Sequence, residues 1–355
     1  MAHGDVVNHI LSDANESKAT NNASDNLTTS PGLLTICICS HNPRPELFYE
    51  KVLPALRRQT AKPRGLSVLI VDNASEPPID VSTCRDALGH DTDFRVVLEP
   101  QLGNVHARAR LITETSTSWV LFVDDDLELP PNYVENGLKI IADNPTLGCF
   151  GGKLILPEYL KPAPWVELLL PFLAIRDFGD EPISRSADEW GRWEPATAGA
   201  FVCRRLLLRY LDQIHSNKDT HILGRKGRRS MLSGEDSLLM RGVFKEGLLA
   251  SYQPSLHAYH HLDPRRFKLG YLIRLVYAYG RTVVILDRLL RPEPAKTLAN
   301  QGRSLKKVLG MLRDLVPCFL YDCKQSLRYA ICFAAHRIGS LVEQLVDSRD
   351  SGNEH

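Results

Sequence analysis

A chain of 355 residues, 43% hydrophobic and 24% charged, is globular and long enough for one large or two ordinary domains. Its formal net charge of +1 excludes a molecule-wide field for nucleic acid, so no nucleic acid partner is expected and any anion must be held by local groups. Eight cysteines without a CxxC pair, most of them in apolar stretches, are expected as buried, reduced thiols of a cytoplasmic protein.

The first 31 residues are rich in Asn, Ser, Thr and Asp and end at Pro31-Gly32; they are expected to be a disordered leader without the basic-then-apolar pattern of a signal peptide. Strand-length apolar runs follow at Leu33 to Ser40, Leu66 to Asp72, Phe94 to Glu99 and Trp119 to Val123, alternating with helical patterns at Glu46 to Arg58 and Asn104 to Thr115. This rhythm predicts an α/β fold with a mainly parallel, helix-covered sheet. Ligands of such sheets bind at the carboxyl ends of strands, where this chain places Ser40-His41-Asn42, Asp72-Asn73 and Asp124-Asp125-Asp126.

A helix is expected from about Asn132 to Asn144 and a strand near Cys149 to Leu156. The weakly periodic Pro157 to Pro195 reads as substrate-side loops, with Trp190 and Trp193 as an aromatic stacking platform or as core. Ala200 to Cys203 reads as a strand, and Leu206 to Ile214 and Glu235 to Lys245 as helices. A further helix, Lys268 to Arg291, carries Arg274, Arg281 and Arg288 beside an apolar stripe, and Leu305 to Val316 is amphipathic. Both suit either an anionic membrane surface or packing on the preceding domain. No apolar run reaches the ~20 residues of a bilayer span, which predicts a soluble or peripheral protein.

The three adjacent aspartates carry the strongest chemistry. Carboxylates crowded at a buried strand end repel one another and resist desolvation unless a cation joins them, which points to a divalent metal and phosphate chemistry. An acidic cap on the following helix is the competing account. Glu235-Asp236 opens a helix, where capping alone would also explain acidic residues. Arg225 to Arg229 is a basic loop that could meet a diphosphate, an anionic acceptor or only solvent.

Taken in order, Ile36 to Arg44, Val71-Asp72-Asn73-Ala74-Ser75, Gly103 with Ala107-Arg108, Asp124-Asp125-Asp126 and Ser233-Gly234-Glu235-Asp236 resemble the inverting family 2 glycosyltransferases of GT-A fold, over roughly Leu33 to Arg291. Pro254 to Leu262 and the basic helix after it look like the bacterial polysaccharide-synthesis branch. The resemblance implies a GT-A, Rossmann-like catalytic domain at 32–265, with a nucleotide-sugar half (32–130) and an acceptor half (131–265), and a helical amphipathic C-terminal region at 266–355. It implies transfer from a nucleotide diphosphate-sugar, UDP-linked in the first instance, to a glycan or lipid-linked glycan, at the inner face of the cell membrane.

By position in the motifs, Asp126 and Asp124 would hold Mn2+ or Mg2+ with His260 completing the shell, and Asp125 would take either a metal or a donor role. Ser40, Asn42, Arg44, Asp72, Gly103, Arg108, Asp124 and Asp125 would line the nucleotide-sugar site, although Asp72 also reads as a turn initiator and Arg108 as an exposed helical arginine. Asp236 would be the general base, with Glu235 orienting acceptor or sugar. A His-x-x-His zinc site at His257 and His260 is weaker, since no cysteine lies nearby. A haloacid-dehalogenase-like phosphohydrolase also uses aspartates and Mg2+ after a strand, but there the nucleophile ends the opening strand. A silent glycan-binding protein is the third alternative.

Overall fold

The computed structural model describes residues 32–61, 66–187, 194–225, 230–290 and 327–350. The expected leader, Trp190 and Trp193, residues 226–229 of the basic loop and the amphipathic Leu305 to Val316 lie outside the described residues.

The opening strand β1 (Leu34–Ser40) pairs in parallel with β2 (Ser67–Asp72) on one side and β4 (Trp119–Asp124) on the other, and β2 continues to β3 (Phe94–Leu98). Register opposes Ser40 to Asp72 and Cys39 to Asp124, so the polar strand ends fall along one edge. The sheet then changes character. β8 (Phe201–Cys203) runs antiparallel to both β4 and β6 (Leu147–Ile155), and β6 pairs in parallel with β9 (Leu249–His260). Two short strands, β5 (Leu127–Glu128) and β7 (Ile183–Arg185), pair antiparallel with β9.

The four expected parallel strands are therefore present, and the fold is a mixed but mostly parallel α/β sheet. β9 is seen above as a motif segment and not as a strand. Pro254 interrupts its pattern, and the pairing shifts there: Gly151 opposes Tyr252, but Lys153 opposes His257. A bulge accommodates a residue without an N–H. Facing the bulge, a Cβ on Gly152 would come within 1.9 Å of the Leu256 carbonyl oxygen, so a residue without a side chain is needed for the strands to approach.

One face of the sheet is covered by three joined helical pieces, Pro45–Leu47, the π-helical turn Phe48–Val52 and Leu53–Arg57, with α1 (Val81–Leu88) beside them. The Leu53 N–H reaches back five residues to Phe48, just before Pro54, whose missing N–H weakens regular α-helical bonding. The other face is covered by α2 (Asn104–Glu114), α4 (Arg204–Ser216) and α5 (Glu235–Lys245), and α3 (Tyr133–Asp143) joins the first face.

Two long helices follow, α6 (Leu269–Leu290) and α7 (Leu327–Asp350). Ala278, Ile285, Leu286 and Leu290 of α6 are buried in the same apolar cluster as Leu206, Leu238 and Val243 of α4 and α5. Three more of its buried apolar residues, Leu272, Leu275 and Val276, close over Val166, Leu169 and Leu173 of the long loop with Cys332 of α7. The helical region thus shares its core with the sheet domain. By length and composition α6 is able to cross a bilayer, but 44% of its apolar stretch is buried in the fold. Of its basic stripe, Arg281 is held by Glu343 at 2.7 Å and Arg274 is exposed.

α6 and α7 touch backbone to backbone. A Cβ on Gly280 would lie 2.0 Å from the His336 carbonyl oxygen, and one on Gly339 would lie 2.1 Å from that of Tyr277. Gly280→Ala must therefore push the helices apart and is expected to cost about 1–3 kcal/mol, read as a lower urea midpoint at unchanged helical content.

Candidate active site

The edge formed by the carboxyl ends of β1 and β4 opens into a cleft of about 490 Å³ lined by Asn73, Asn104, Arg108, Asp124, Asp125, Asp126, Thr197, Asp236 and His260, with Phe172 and Tyr279 on its far wall. Beside it lies a second cavity of about 550 Å³, lined by His41, Asn42, Arg44, Arg225, Arg265, Arg266 and Arg274, which shares Asp125 and Asp126 with the first.

The aspartate cluster is where electrostatics is most strained. Burial, reinforced by the Asp126 charge, pushes Asp124 up to about 6 and Asp125 up to about 7. Asp126 is held well below the ordinary carboxylate range: burial is the largest single influence and opposes this, but His260 at 3.1 Å, Arg266 and Arg44 together outweigh it. Asp125 takes a short hydrogen bond from the Ser40 hydroxyl, which fixes it against β1.

His260 reaches Asp126 because β5 pairs with the end of β9: Leu127 opposes His260, and the His261 N–H donates to the Asp126 carbonyl at 2.8 Å. His261 is itself held between Glu128 at 2.9 Å and the Tyr159 hydroxyl at 2.7 Å, while Arg44 donates to its carbonyl. One ligand atom each from Asp124, Asp126 and His260 lie within 4.8 Å of one another. His260 is buried, and its Nδ1 makes no hydrogen bond among the described residues. Two carboxylates and an imidazole fit a divalent cation, and the nitrogen donor suits Mn2+ better than Mg2+.

Across the cleft, α5 starts at Glu235 after Gly234, whose φ of +145° no L side chain adopts readily. Glu235 is buried; its carboxylate accepts from Asn104 at 3.1 Å and from the Gly234 N–H at 2.9 Å. Asp236 is about one-third exposed to the cleft, with one oxygen 2.6 Å from the Arg108 guanidinium and the other accepting from Thr197 at 2.9 Å. Arg108 also donates to Thr197 at 2.8 Å. The two neighbouring carboxyls are driven apart. Burial and the Asp236 charge raise Glu235, whereas Asp236 is lowered, its burial overcome by Arg108 and the Thr197 hydrogen bond.

The remaining sequence-predicted residues fall as follows. Asn42 and Arg44 line the second cavity, and Ser40 reaches the cleft through Asp125. Asp72 is buried beneath its own turn, its oxygens accepting the N–H groups of Ser75 at 3.0 Å and Ile79 at 2.9 Å. The side chain at that edge which lines the cleft is Asn73; it also ties down the 99–103 loop through Glu99, Gln101 and Gly103, whose φ is +141°. Arg108, read above as either donor-side or exposed, is buried against the acidic helix start. Thr197, Arg266, Tyr271 and Tyr279 are cleft residues that no sequence motif flagged. The basic pair in the Asp263-Pro264-Arg265-Arg266 run after His260 was the available signal for Arg266.

A sheet of this order, with carboxylates at the end of β4 and an ionised carboxylate across the cleft, defines a GT-A glycosyltransferase fold. Residues 35–172 match the family model described as Glycosyl transferase family 2. Among solved structures, a mannosyltransferase from Pyrobaculum calidifontis, PcManGT, in complex with GDP-Man and Mn2+, is similar at 18% identity and TM-score 0.51, over 98% of this chain and 96% of that one. S. aureus TarS, residues 1–349, is similar at 11% identity and TM-score 0.47, over 91% of this chain and 92% of that one. No curated protein matches the chain in sequence.

The ligand set makes a direct claim on metal binding. Mn2+ titration followed by electron paramagnetic resonance is expected to reveal one tight site, weakened by at least ~10-fold in Asp126→Ala and in His260→Ala, and unaffected by Asp72→Asn.

Proposed function

We propose that the protein is a metal-dependent, inverting glycosyltransferase that moves a sugar from a nucleotide diphosphate-sugar to a hydroxyl of a glycan or lipid-linked glycan in bacterial cell-surface polysaccharide synthesis. The observation that carries the reading is the opposition of two acidic sites across one cleft: Asp124, Asp126 and His260 on the sheet side, and Asp236, held ionised, on the helix side. A divalent cation, Mn2+ in preference to Mg2+, would be held by Asp124, Asp126 and His260, and when bound supplies a counter-charge for the departing nucleoside diphosphate. The mannosyltransferase sharing this fold is described with GDP-Man and Mn2+, and that pairing of donor and cation enters the proposal.

Asp236 takes the proton of the attacking acceptor hydroxyl as that oxygen bonds the anomeric carbon and the sugar–phosphate bond breaks on the opposite face, inverting the configuration. Arg108 and Thr197 hold the base in place, and Glu235, buried behind it, fixes Asn104 at the cleft edge. Ser40, Asn42, Arg44, Asn73 and Gly103 surround the nucleotide side in this reading. A UDP-sugar is the first donor to test. The apolar wall at Phe172 and Tyr279 would face the acceptor. A working place at the inner face of the cell membrane belongs to the same proposal, supported by the apolar length of α6 and the exposed Arg274.

The test is release of nucleoside diphosphate from a panel of UDP-, GDP- and dTDP-sugars with Mn2+, with and without simple glycoside acceptors. Release that requires the cation and falls by ~10³-fold or more in Asp126→Ala and Asp236→Asn is expected. Failure of every donor to bind in the presence of Mn2+ would overturn the reading.

The base makes its own pH claim. Arg108 lowers the Asp236 carboxyl, so the base stays ionised into the acidic range and is lost only as pH falls through that lowered value. Thr197→Val removes one stabilising hydrogen bond and Arg108→Gln the opposite charge, so both are expected to move the acid limb of kcat to higher pH, Arg108→Gln by the larger step. An acid limb that stays in place in both variants would remove Asp236 from the role.

A further inference from the structure

Arg266 stands where the two cavities meet. It lies in the 3-10 turn Pro264–Phe267, six residues beyond His260, and lines both the cleft and the second cavity. Its guanidinium is 3.6 Å from Asp126 Oδ2, an ion pair too long for a hydrogen bond, and its side chain is one-third exposed. Arg108, by contrast, is locked by contacts of 2.6 Å and 2.8 Å. Arg266 is thus a loosely held cation on the same carboxylate that belongs to the metal set.

The second cavity explains what else such a cation would meet. Arg44, Arg225, Arg265 and Arg274 line it with Arg266, against Asp125, Asp126 and Asp263. Asp263 is taken by Arg265, and a divalent cation on Asp126 would cancel that charge as well. What remains is a strongly positive wall that calls for an anion, and guanidinium forks match phosphate oxygens. A divalent cation arriving at Asp126 would also repel Arg266 from it, toward that same space.

We propose that Arg266 is a mobile counter-charge: it neutralises the aspartate cluster in the cation-free protein and turns to the diphosphate of the nucleotide when a divalent cation takes its place. The inference rests on the donor reading above, which assigns no role to this arginine. Arg266 and the cation are then competitors for Asp126 and partners on the diphosphate. The signs of its two effects are opposed, which a purely structural residue would not produce.

The test titrates the full-length protein with Mn2+ alone, and with UDP and GDP in EDTA and in saturating Mn2+. Arg266→Ala is expected to bind Mn2+ roughly two- to fivefold more tightly, because a competing cation is gone. The same variant is expected to bind the nucleoside diphosphate that the wild type prefers about tenfold more weakly in saturating Mn2+, and with a smaller loss in EDTA, where Arg266 stays on Asp126. Arg266→Lys should fall between, and Arg205→Ala, 61% exposed at its side chain, tied to Glu246 and lining neither cavity, serves as the control that changes neither. Unchanged or weaker Mn2+ binding in a folded Arg266→Ala, or unchanged diphosphate binding, overturns the proposal while leaving the donor reading intact. A wild type that binds neither Mn2+ nor any nucleoside diphosphate overturns both.

Discussion

The structure turns on one electrostatic constraint: three carboxylates at the end of a buried strand. Burial and mutual repulsion push Asp124 and Asp125 toward protonation, and only opposite charge keeps Asp126 ionised. Every cationic or donor group around the cluster answers that need. Ser40 pins Asp125, His260 and Arg266 face Asp126, and Arg44 secures the turn that carries them by holding the His261 carbonyl. Uncompensated, the cluster would be among the most expensive features of the fold; compensated loosely, it is a site ready for a stronger cation.

The opposite wall meets the same difficulty by a different route. Glu235 and Asp236 are adjacent carboxylates at a helix start, yet they are not equivalent. Glu235 is sealed by Asn104 and the Gly234 N–H and is driven toward its neutral form, whereas Asp236 opens on the cleft and keeps its charge through Arg108 and Thr197. A pair whose environments separate its members supplies one group for structure and, in the proposed reaction, one for proton transfer. The buried guanidinium is the device that makes the choice, and its cost is offset by two hydrogen-bonded partners.

Much of this was legible from the chain. The parallel half of the sheet follows from its apolar runs, and the register that aligns Ser40, Asp72 and Asp124 makes the strand-end motifs converge as the α/β pattern requires. The second half was less legible because its strands are set by long-range pairing. Phe201–Cys203 reads as a strand, but its antiparallel place between two others is not written in it, and Leu249–His260 is broken by a proline bulge that Gly152 of a distant strand makes comfortable. Arg108 shows the same limit: its helical spacing is unremarkable, and its function comes from Asp236, 128 positions away in sequence, meeting it at 2.6 Å. Asp72 shows the converse, a motif residue whose oxygens are engaged by its own turn while the neighbouring Asn73 lines the cleft.

The C-terminal helices bear on the cleft more than a division at residue 265 suggests. Leu286 of α6 sits in the core shared by α4 and α5, and the same helix presents Tyr271, Tyr279 and Thr282 to the cleft. Tyr279 meets Phe172 of the long loop edge to face at 5.0 Å, so the far wall is built by two segments, of which the family match at 35–172 reaches only the first, at its last residue. Because α6 is clamped to α7 through Gly280 and Gly339, with the Ser340 hydroxyl on the Gly280 carbonyl at 2.9 Å, any shift of the helix pair moves that wall as a unit. The sheet therefore fixes the aspartates and the helices fix what stands opposite them. Differences in acceptor among proteins of this fold would arise most readily from the second, where packing of one helix pair sets the shape of the cleft without disturbing the charge balance of the first.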